Sequence, residues 1–168
     1  SQFGAAAMLG SIMVSYGMMK VFPVQMPAPT LMRLLEPLGQ FSPMGVLWTF
    51  MGVSPGYQTF TGLVEFAGGV LLFWSRTTVL GALLCLMAAG QIFALNLAYD
   101  VPVKLFSLHL ILLALFLLAP HAARLVRVVM HDASVVLPDT SATGFRRRRR
   151  WLIGRTVLAV LVVLAATN

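Results

Sequence analysis

Four long apolar runs in the first 120 residues constrain the fold of this chain more than any other feature. Each run holds about 18–23 mostly apolar residues, which is enough for an α-helix to cross roughly 30 Å of hydrocarbon. Only 10% of the 168 residues are charged, whereas a soluble domain carries roughly 25%, so the chain cannot cover a water-facing surface. The sequence therefore predicts an all-α integral membrane protein. Its four-helix transmembrane bundle is formed by residues 4–21, 57–74, 77–99 and 102–119.

The apolar runs divide the chain into three parts. Residues 1–120 hold the four-helix transmembrane domain, residues 121–150 read as a basic cytoplasmic linker, and residues 151–168 read as the start of a fifth, C-terminal transmembrane helix. Counted from Arg155, the last run has only about 13 residues, or roughly 20 Å of helix. Because this is too short to cross a bilayer comfortably, we expect the protein to continue beyond the sequence given.

The basic residues predict an orientation in the membrane. Five of the twelve form one block, Arg146–Arg150, beside an apolar run, and such a block is typical of a cytoplasmic anchor that contacts anionic lipid. With the block inside, nine basic residues lie on the cytoplasmic side and three, Lys20, Arg33 and Lys104, on the other. The Arg146–Arg150 block is therefore expected on the cytoplasmic side. The expected location of the protein is the bacterial cytoplasmic (inner) membrane. Its expected partners are membrane lipids and other membrane-protein subunits. We do not expect it to bind nucleic acid.

The segment between the first two runs, residues 22–56, is too apolar for an ordinary loop. Its first part reads as a short amphipathic helix on which Arg33 and Glu36 are spaced to pair. A second helix carries Trp48 and Phe50 and is too short to span a bilayer. We predict that this segment forms a re-entrant or amphipathic cap over the outer end of the bundle, with Trp48 and Phe50 as apolar cover.

Glu65 lies about eight residues into the second run, and an ionisable group at such a depth is by default a candidate for function. Its helical neighbours include Gly62, Gly68 and Gly69, a stripe of small residues that permits close helix contact. Glu65 is therefore predicted to face the bundle. Two interpretations remain open: a hydrogen-bonded carboxyl that holds helices together, and a group that exchanges protons or holds a ligand.

Further polar residues lie in the outer half of the predicted bundle. Each also has a structural interpretation. Asp100 and Lys104 can close a helical hairpin as an ion pair, Asn96 and His109 can hydrogen-bond within the bundle, and Lys20 can extend to the outer interface. Several polar groups that converge beneath apolar cover are the usual pattern of a ligand site. The candidate ligand-binding residues are Tyr16, Lys20, Glu65, Asn96, Asp100, Lys104 and His109.

The sequence offers few residues that could bind a metal, a haem or a nucleotide, or form a disulfide. Cys85 is its one cysteine, and His109 is the one histidine within the predicted spans, so we predict no metal site, disulfide or bis-histidine haem. No glycine-rich phosphate loop or dinucleotide motif occurs. No residue can be named as catalytic.

Four stretches resemble the DoxX-like membrane proteins, a family of four-helix proteins of which some are described as the large subunit of a thiosulfate:quinone oxidoreductase. The stretches are SYGMMKVFP (15–23), SPMGVLWTFMG (42–52), GLVEFAGG (62–69) and YDVPVKLFS (99–107). The last is also similar, more weakly, to the membrane part of bacterial relatives of vitamin-K-dependent carboxylases. The first resemblance implies a four-helix membrane fold, a quinone as candidate ligand and no bound metal. The residues it implies for family chemistry are Lys20, Glu65, Asp100, Lys104 and His109.

These observations favour a quinone-linked redox membrane subunit that has no redox centre of its own and receives electrons from a partner. The alternative is a non-catalytic structural or accessory subunit of a larger respiratory or photosynthetic complex. A small-molecule transporter is a third hypothesis, disfavoured because the sequence shows neither an internal repeat nor broken helices. Whether the protein is an enzyme stays open at this point.

Overall fold

The computed structural model describes residues 2–22 and 24–130, and the regular structure in these residues is entirely helical. Short 3₁₀ turns precede α3 and α7. In chain order the helices are α1 (Gln2–Val21), α2 (Leu31–Leu35), α3 (Pro43–Val53), α4 (Pro55–Leu71), α5 (Thr78–Ala98), α6 (Lys104–Leu118) and α7 (Ala122–Met130).

Three helical stretches in the described residues are long and apolar enough to cross a membrane. They are α1, α5 and the continuous stretch Lys104–Val128, with 20, 21 and 25 residues. Their length and composition indicate an integral membrane protein, as the sequence predicts. The predicted second span, residues 57–74, is shorter in the structure, because α4 has 17 residues and ends at Leu71.

Four helices pack side by side in a ring, in which α1 and α5 each contact α4 and α6. Successive helices run in opposite directions, so α1 and α5 end, and α4 and α6 begin, at one end of the ring, which we call the cap end. The interior is filled by buried apolar side chains. Leu9, Met13, Leu72 and Cys85 are fully buried there.

Two pairs of glycines bring the backbones of α1 and α4 together. A Cβ atom at Gly17 would lie 2.7 Å from the carbonyl oxygen of Gly62, and one at Gly69 would lie 2.8 Å from the carbonyl oxygen of Gly10. Ordinary contacts between carbon and its neighbours are longer, about 3.5–4.0 Å. The helices can therefore approach this closely only where side chains are absent.

The segment between α1 and α4 supplies the cap. The hydroxyl of Ser42 accepts a hydrogen bond from the first turn of α3 (3.1 Å) and so begins that helix. Leu47 and Met51 of α3 are then buried with Met26 and Val101 at the cap end of the ring. Helix α3 therefore covers this end, whereas α2 has no buried residue.

The helical path continues beyond the predicted end of the fourth span at residue 119 and passes through Pro120. A single 3₁₀ turn at Ala119–His121 accommodates the proline, which is tolerated at the start of a helix, and α7 follows directly. The predicted linker, residues 121–150, thus begins as a helix. The rest of the linker with the Arg146–Arg150 block, and the predicted fifth helix at residues 151–168, lie outside the described residues.

Candidate functional site

Lys20 and Glu65 form an ion pair inside the bundle, in which Nζ of Lys20 donates to Oε1 of Glu65. The two residues are only 6% and 3% exposed, which confirms that Glu65 faces the bundle. It also corrects the interpretation that Lys20 extends its ammonium group to the interface. The physical reason is the close contact of α1 with α4 at Gly17 and Gly62, which brings Lys20 against the helix that carries Glu65.

An internal cavity of about 90 Å³ lies beside this pair at the cap end. Helices α1, α5 and α6 provide its walls, and Trp48 of α3 contributes to its cover. The cavity has room for a few water molecules but not for an aromatic ring, because a cavity that binds benzene measures roughly 150 Å³. Its polar lining residues are Tyr16, Lys20, Gln25, Glu65, Asn96 and Ser107.

A larger groove of about 470 Å³ opens between α4 and α5 on the outside of the ring. Tyr57, Phe60 and Met87 line it with exposed apolar side chains, so in a membrane protein the groove faces lipid. Lys20 and Glu65 line both the groove and the internal cavity. The ion pair therefore lies between a small cavity, whose mostly apolar lining includes several polar side chains, and a lipid-accessible apolar groove.

Gln91 also lines the groove. Its side chain is exposed near the middle of α5, where an amide in contact with hydrocarbon loses its hydrogen bonds to water. An amide supplies two donors and one acceptor oxygen. The groove thus presents an amide on one wall and an ammonium–carboxylate pair on its floor, within otherwise apolar surroundings.

Two buried acceptors on the lining of the internal cavity lack a donor. Oε2 of Glu65 and Oε1 of Gln25 are both inaccessible, and neither has a hydrogen-bond partner among the described residues. Leaving a buried polar atom unsatisfied costs about 1–3 kcal/mol. Both atoms therefore carry this cost in the folded protein.

Asn96 joins α5 to α6, as one of its two interpretations predicts. Its amide Nδ2 donates to the hydroxyl of Ser107 at 3.0 Å, and that hydroxyl donates in turn to the carbonyl oxygen of Lys104 at 2.9 Å. Both residues line the internal cavity. The bond therefore fixes one wall of the cavity and connects two membrane-length helices.

Replacement of Ser107 by alanine is expected to destabilise the bundle by about 1–3 kcal/mol, because the buried amide of Asn96 then loses its acceptor. The double variant Asn96→Leu with Ser107→Ala removes both partners and should recover most of the loss. Unfolding of the purified protein in mixed detergent micelles measures the change. Equal stability of wild type and Ser107→Ala would show that the hydrogen bond contributes nothing.

Asp100 and Lys104 close the hairpin between α5 and α6, as the structural interpretation predicts. Asp100 has a left-handed backbone (φ 52°), and the N–H of Val101 donates to the carbonyl oxygen of Asn96 at 3.0 Å. This is the usual C-terminal helix motif, to which aspartate is better suited than most residues. Lys104 pairs with the exposed Asp100 carboxylate. Neither residue lines the cavity or the groove.

The hydrogen bond from Lys104 lowers the pKa of the Asp100 carboxyl below its ordinary value. The stabilisation from a lowered carboxyl pKa is present above the unfolded value and is lost as the pH falls through the folded one. Because the Asp100 side chain is 77% exposed, solvent screens the pair. The ion pair is therefore a minor, acid-sensitive contribution to the hairpin.

His109 does not join the cluster either. Its ring is exposed on α6, and its Nδ1 lies 2.6 Å from the carbonyl oxygen of Leu105 in the preceding turn. Among the cap residues, Trp48 lines the internal cavity. Phe50 is exposed and packs edge-on against Tyr57, with ring centroids 5.8 Å apart.

The seven predicted ligand residues thus divide into two groups. Tyr16, Lys20, Glu65 and Asn96 meet at the internal cavity, and the ring of Tyr16 lies 5.7 Å from that of Phe106. The other three lie away from the cavity and the groove. These three are Asp100, Lys104 and His109.

Sequence reasoning did not select four polar residues that the structure makes relevant. Gln25 and Ser107 line the cavity and Gln91 lines the groove. Gln58 is fully buried, with neither side-chain atom hydrogen-bonded among the described residues. For Gln58, Gln91 and Ser107 the available signal was a polar side chain within an apolar helix, which is costly in a membrane. In residues 2–22 and 24–130, no group of three or more His, Cys, Asp or Glu residues could hold a metal ion.

Comparisons with known proteins supply no function. No protein-family model matches the chain, and no solved structure matches it. Over 73 residues it is 36% identical to a protein of Bacillus subtilis (strain 168) described as the uncharacterized protein YwoB. The match covers 44% of this chain and 47% of that protein, so the chain spans about half the length of its relative.

Proposed function

We propose that this chain is a quinone-binding subunit of a membrane redox complex, with the quinone ring in the groove between α4 and α5. The observation that carries the proposal is the buried Lys20–Glu65 pair at the floor of a groove open to lipid. A quinone is dissolved in the bilayer and can enter such a groove sideways. The internal cavity is too small for its ring, whereas the groove is about five times larger.

The polar groups of the groove match the chemistry of a quinone. Its carbonyl oxygens need donors, which Lys20 and the Gln91 amide can supply, and the hydroxyls of the reduced quinol need an acceptor, which Glu65 can supply. Tyr57, Phe60 and Met87 provide apolar contacts for the ring and the tail. Two other candidate ligand residues with donor groups, Lys104 and His109, lie outside the groove.

Reduction of a quinone to a quinol takes up two electrons and two protons, and each carbonyl oxygen becomes a hydroxyl. In the proposed role the electrons come from a redox centre of a partner subunit. The protons come from water by way of the polar lining of the internal cavity and the Lys20–Glu65 pair. The resemblance to DoxX-like proteins supports this role, because some members are described as quinone-reducing subunits.

The proposal places the chain in a bacterial cytoplasmic membrane, with α4 as a fourth and shorter span of the ring. Helix order puts Arg76 and Arg124 at one end and Arg33 and Lys104 at the cap end. The excess of basic residues beyond α6, including the Arg146–Arg150 block, favours a cytoplasmic location for the end opposite the cap. The cap then faces the other side of the membrane.

Replacement of Gln91 by leucine tests the groove without disturbing the bundle. Its side chain is exposed to the lipid side, so leucine should leave stability unchanged, whereas loss of a hydrogen bond to the quinone should weaken binding roughly tenfold. The protein in lipid nanodiscs is titrated with short-chain ubiquinone and menaquinone. Quenching of tryptophan fluorescence reports binding.

His109→Leu is the matched control, since it also replaces an exposed polar side chain by leucine but lies outside the groove. It should bind quinone like the wild type. Failure of the wild type to bind either quinone, or equal binding by wild type and Gln91→Leu, would contradict the proposal and favour the accessory-subunit alternative. If His109→Leu alone weakened binding, the quinone site would lie at the N-terminal half of α6 and not in the groove.

A further inference from the structure

The segment formed by α2 and the following 3₁₀ turn, residues 31–40, exposes apolar side chains in an unusual number. Met32 is 80% exposed, and four leucines of the same segment are each more than half exposed. Exposed apolar groups that occur singly are ordinary, but a contiguous group of large ones marks an interaction surface. The four leucines are Leu31, Leu34, Leu35 and Leu38.

The charged side chains of this segment, Arg33 and Glu36, contact the protein. Arg33 Nη1 donates to Oε2 of Glu36 at 2.6 Å, which confirms the pairing expected from the sequence. The Arg33 guanidinium also stacks over the ring of Phe41, 3.8 Å from its centroid. Nη2 of the same guanidinium lies against Gly45 in the first turn of α3, where it occupies the place that a Cβ atom would take. Both charges are thus about two-thirds covered and neutralised within the protein.

This arrangement is the reverse of a helix that faces water, which buries its apolar residues and exposes its charges. It is the arrangement expected of a short segment that inserts its apolar side chains into a membrane surface. We propose that residues 31–38 lie at the boundary between the headgroup and acyl-chain regions at the cap end, with the side chains of Met32 and the leucines in lipid. The segment thereby anchors the cap to the bilayer.

Two observations favour lipid over a protein partner. The cap end exposes further large apolar side chains, namely Met19 and Phe22 at the end of α1 and Phe50 of α3. The internal pairing of Arg33 with Glu36 also leaves no free charge in the segment to orient a specific partner. This inference does not depend on the quinone proposal, since the segment lines neither the cavity nor the groove.

Spin labels attached to residues 31–38 can show directly whether lipid, water or protein surrounds the segment. A nitroxide is attached at Met32→Cys or Leu35→Cys in a Cys85→Ala background, and the full protein is reconstituted in vesicles of phosphatidylcholine and phosphatidylglycerol. Collisions with oxygen report lipid, and collisions with a water-soluble nickel chelate report water. We expect high oxygen and low nickel accessibility at both positions, as at the control Leu115→Cys on the exposed face of α6.

Gln40→Cys provides the aqueous control, because this polar residue is exposed just after the apolar segment. Nickel accessibility at Met32 and Leu35 equal to that at Gln40 would overturn the proposal and place the segment in water. Low accessibility to both reagents would also overturn it, because a protein surface, including a second copy of the chain, would then cover the segment. All labelled positions are exposed, so the labels should not disturb folding, and thermal unfolding of each variant verifies this.

Discussion

Replacement of Lys20 by methionine is expected to destabilise the folded protein by about 3–5 kcal/mol, because it leaves the Glu65 carboxylate buried without its partner. Both side chains are more than 90% buried, so water cannot compensate. Oε2 of Glu65 already lacks a donor among the described residues. The free energy of unfolding in mixed detergent micelles, compared with the wild type, measures the loss.

The double variant Lys20→Met with Glu65→Gln separates stability from function. It leaves no buried charge and should recover most of the lost stability, yet it should not bind quinone, because the ammonium donor and the proton-exchanging carboxyl are gone. Lys104→Met serves as a control, since it breaks an ion pair whose aspartate is exposed and should change stability little. Wild-type stability of Lys20→Met would show that the pair does not hold the bundle. Undiminished quinone binding by the double variant would exclude the proposed site.

The replacement of Gly62 by alanine is expected to destabilise the bundle by about 1–3 kcal/mol. A Cβ atom at this position would lie 2.7 Å from the carbonyl oxygen of Gly17 and 2.9 Å from the backbone nitrogen of Val21. Because these neighbours are backbone atoms, α1 has to move away from α4, and Lys20 moves with it. We therefore expect weaker quinone binding as well as lower stability in unfolding measurements.

Gly90 provides the matched control for this substitution. It lies within α5, and a Cβ atom there would meet no atom within 4 Å. Gly90→Ala should be neutral or up to about 1 kcal/mol stabilising, because alanine favours the helix more than glycine does. If both alanine variants lose the same stability, the loss does not come from the α1–α4 contact.

Local features of the sequence predicted two ion pairs outside the candidate site and the direction in which one site residue, Glu65, faces. The position of Asp100 and Lys104 at the hairpin turn indicated their ion pair as one of two interpretations, and the spacing of Arg33 and Glu36 predicted theirs. These contacts depend on a single helix or turn. The glycines beside Glu65 likewise predicted that it faces the bundle, because small residues mark a helix–helix contact in a membrane.

The partner of Glu65 could not be predicted in the same way. Lys20 precedes it by 45 residues on a different helix, and no local pattern states that α1 lies against α4. The interpretation of Lys20 as an interfacial residue followed from its place near the end of α1. It was wrong because the glycine contacts with α4 hold it in the interior.

The sequence alone determined that this is a helical membrane protein, since the length and apolarity of its helices allow few other folds. It also determined the local contacts at the helix ends. Only the tertiary structure decided which face of each helix points inward. On α6, Ser107 and Leu110 are buried while His109 between them is exposed. In a membrane, side chains that face lipid and side chains that face the core are both apolar, so periodicity does not distinguish them. The rotation of each helix, and with it the composition of the site, is set by packing between helices.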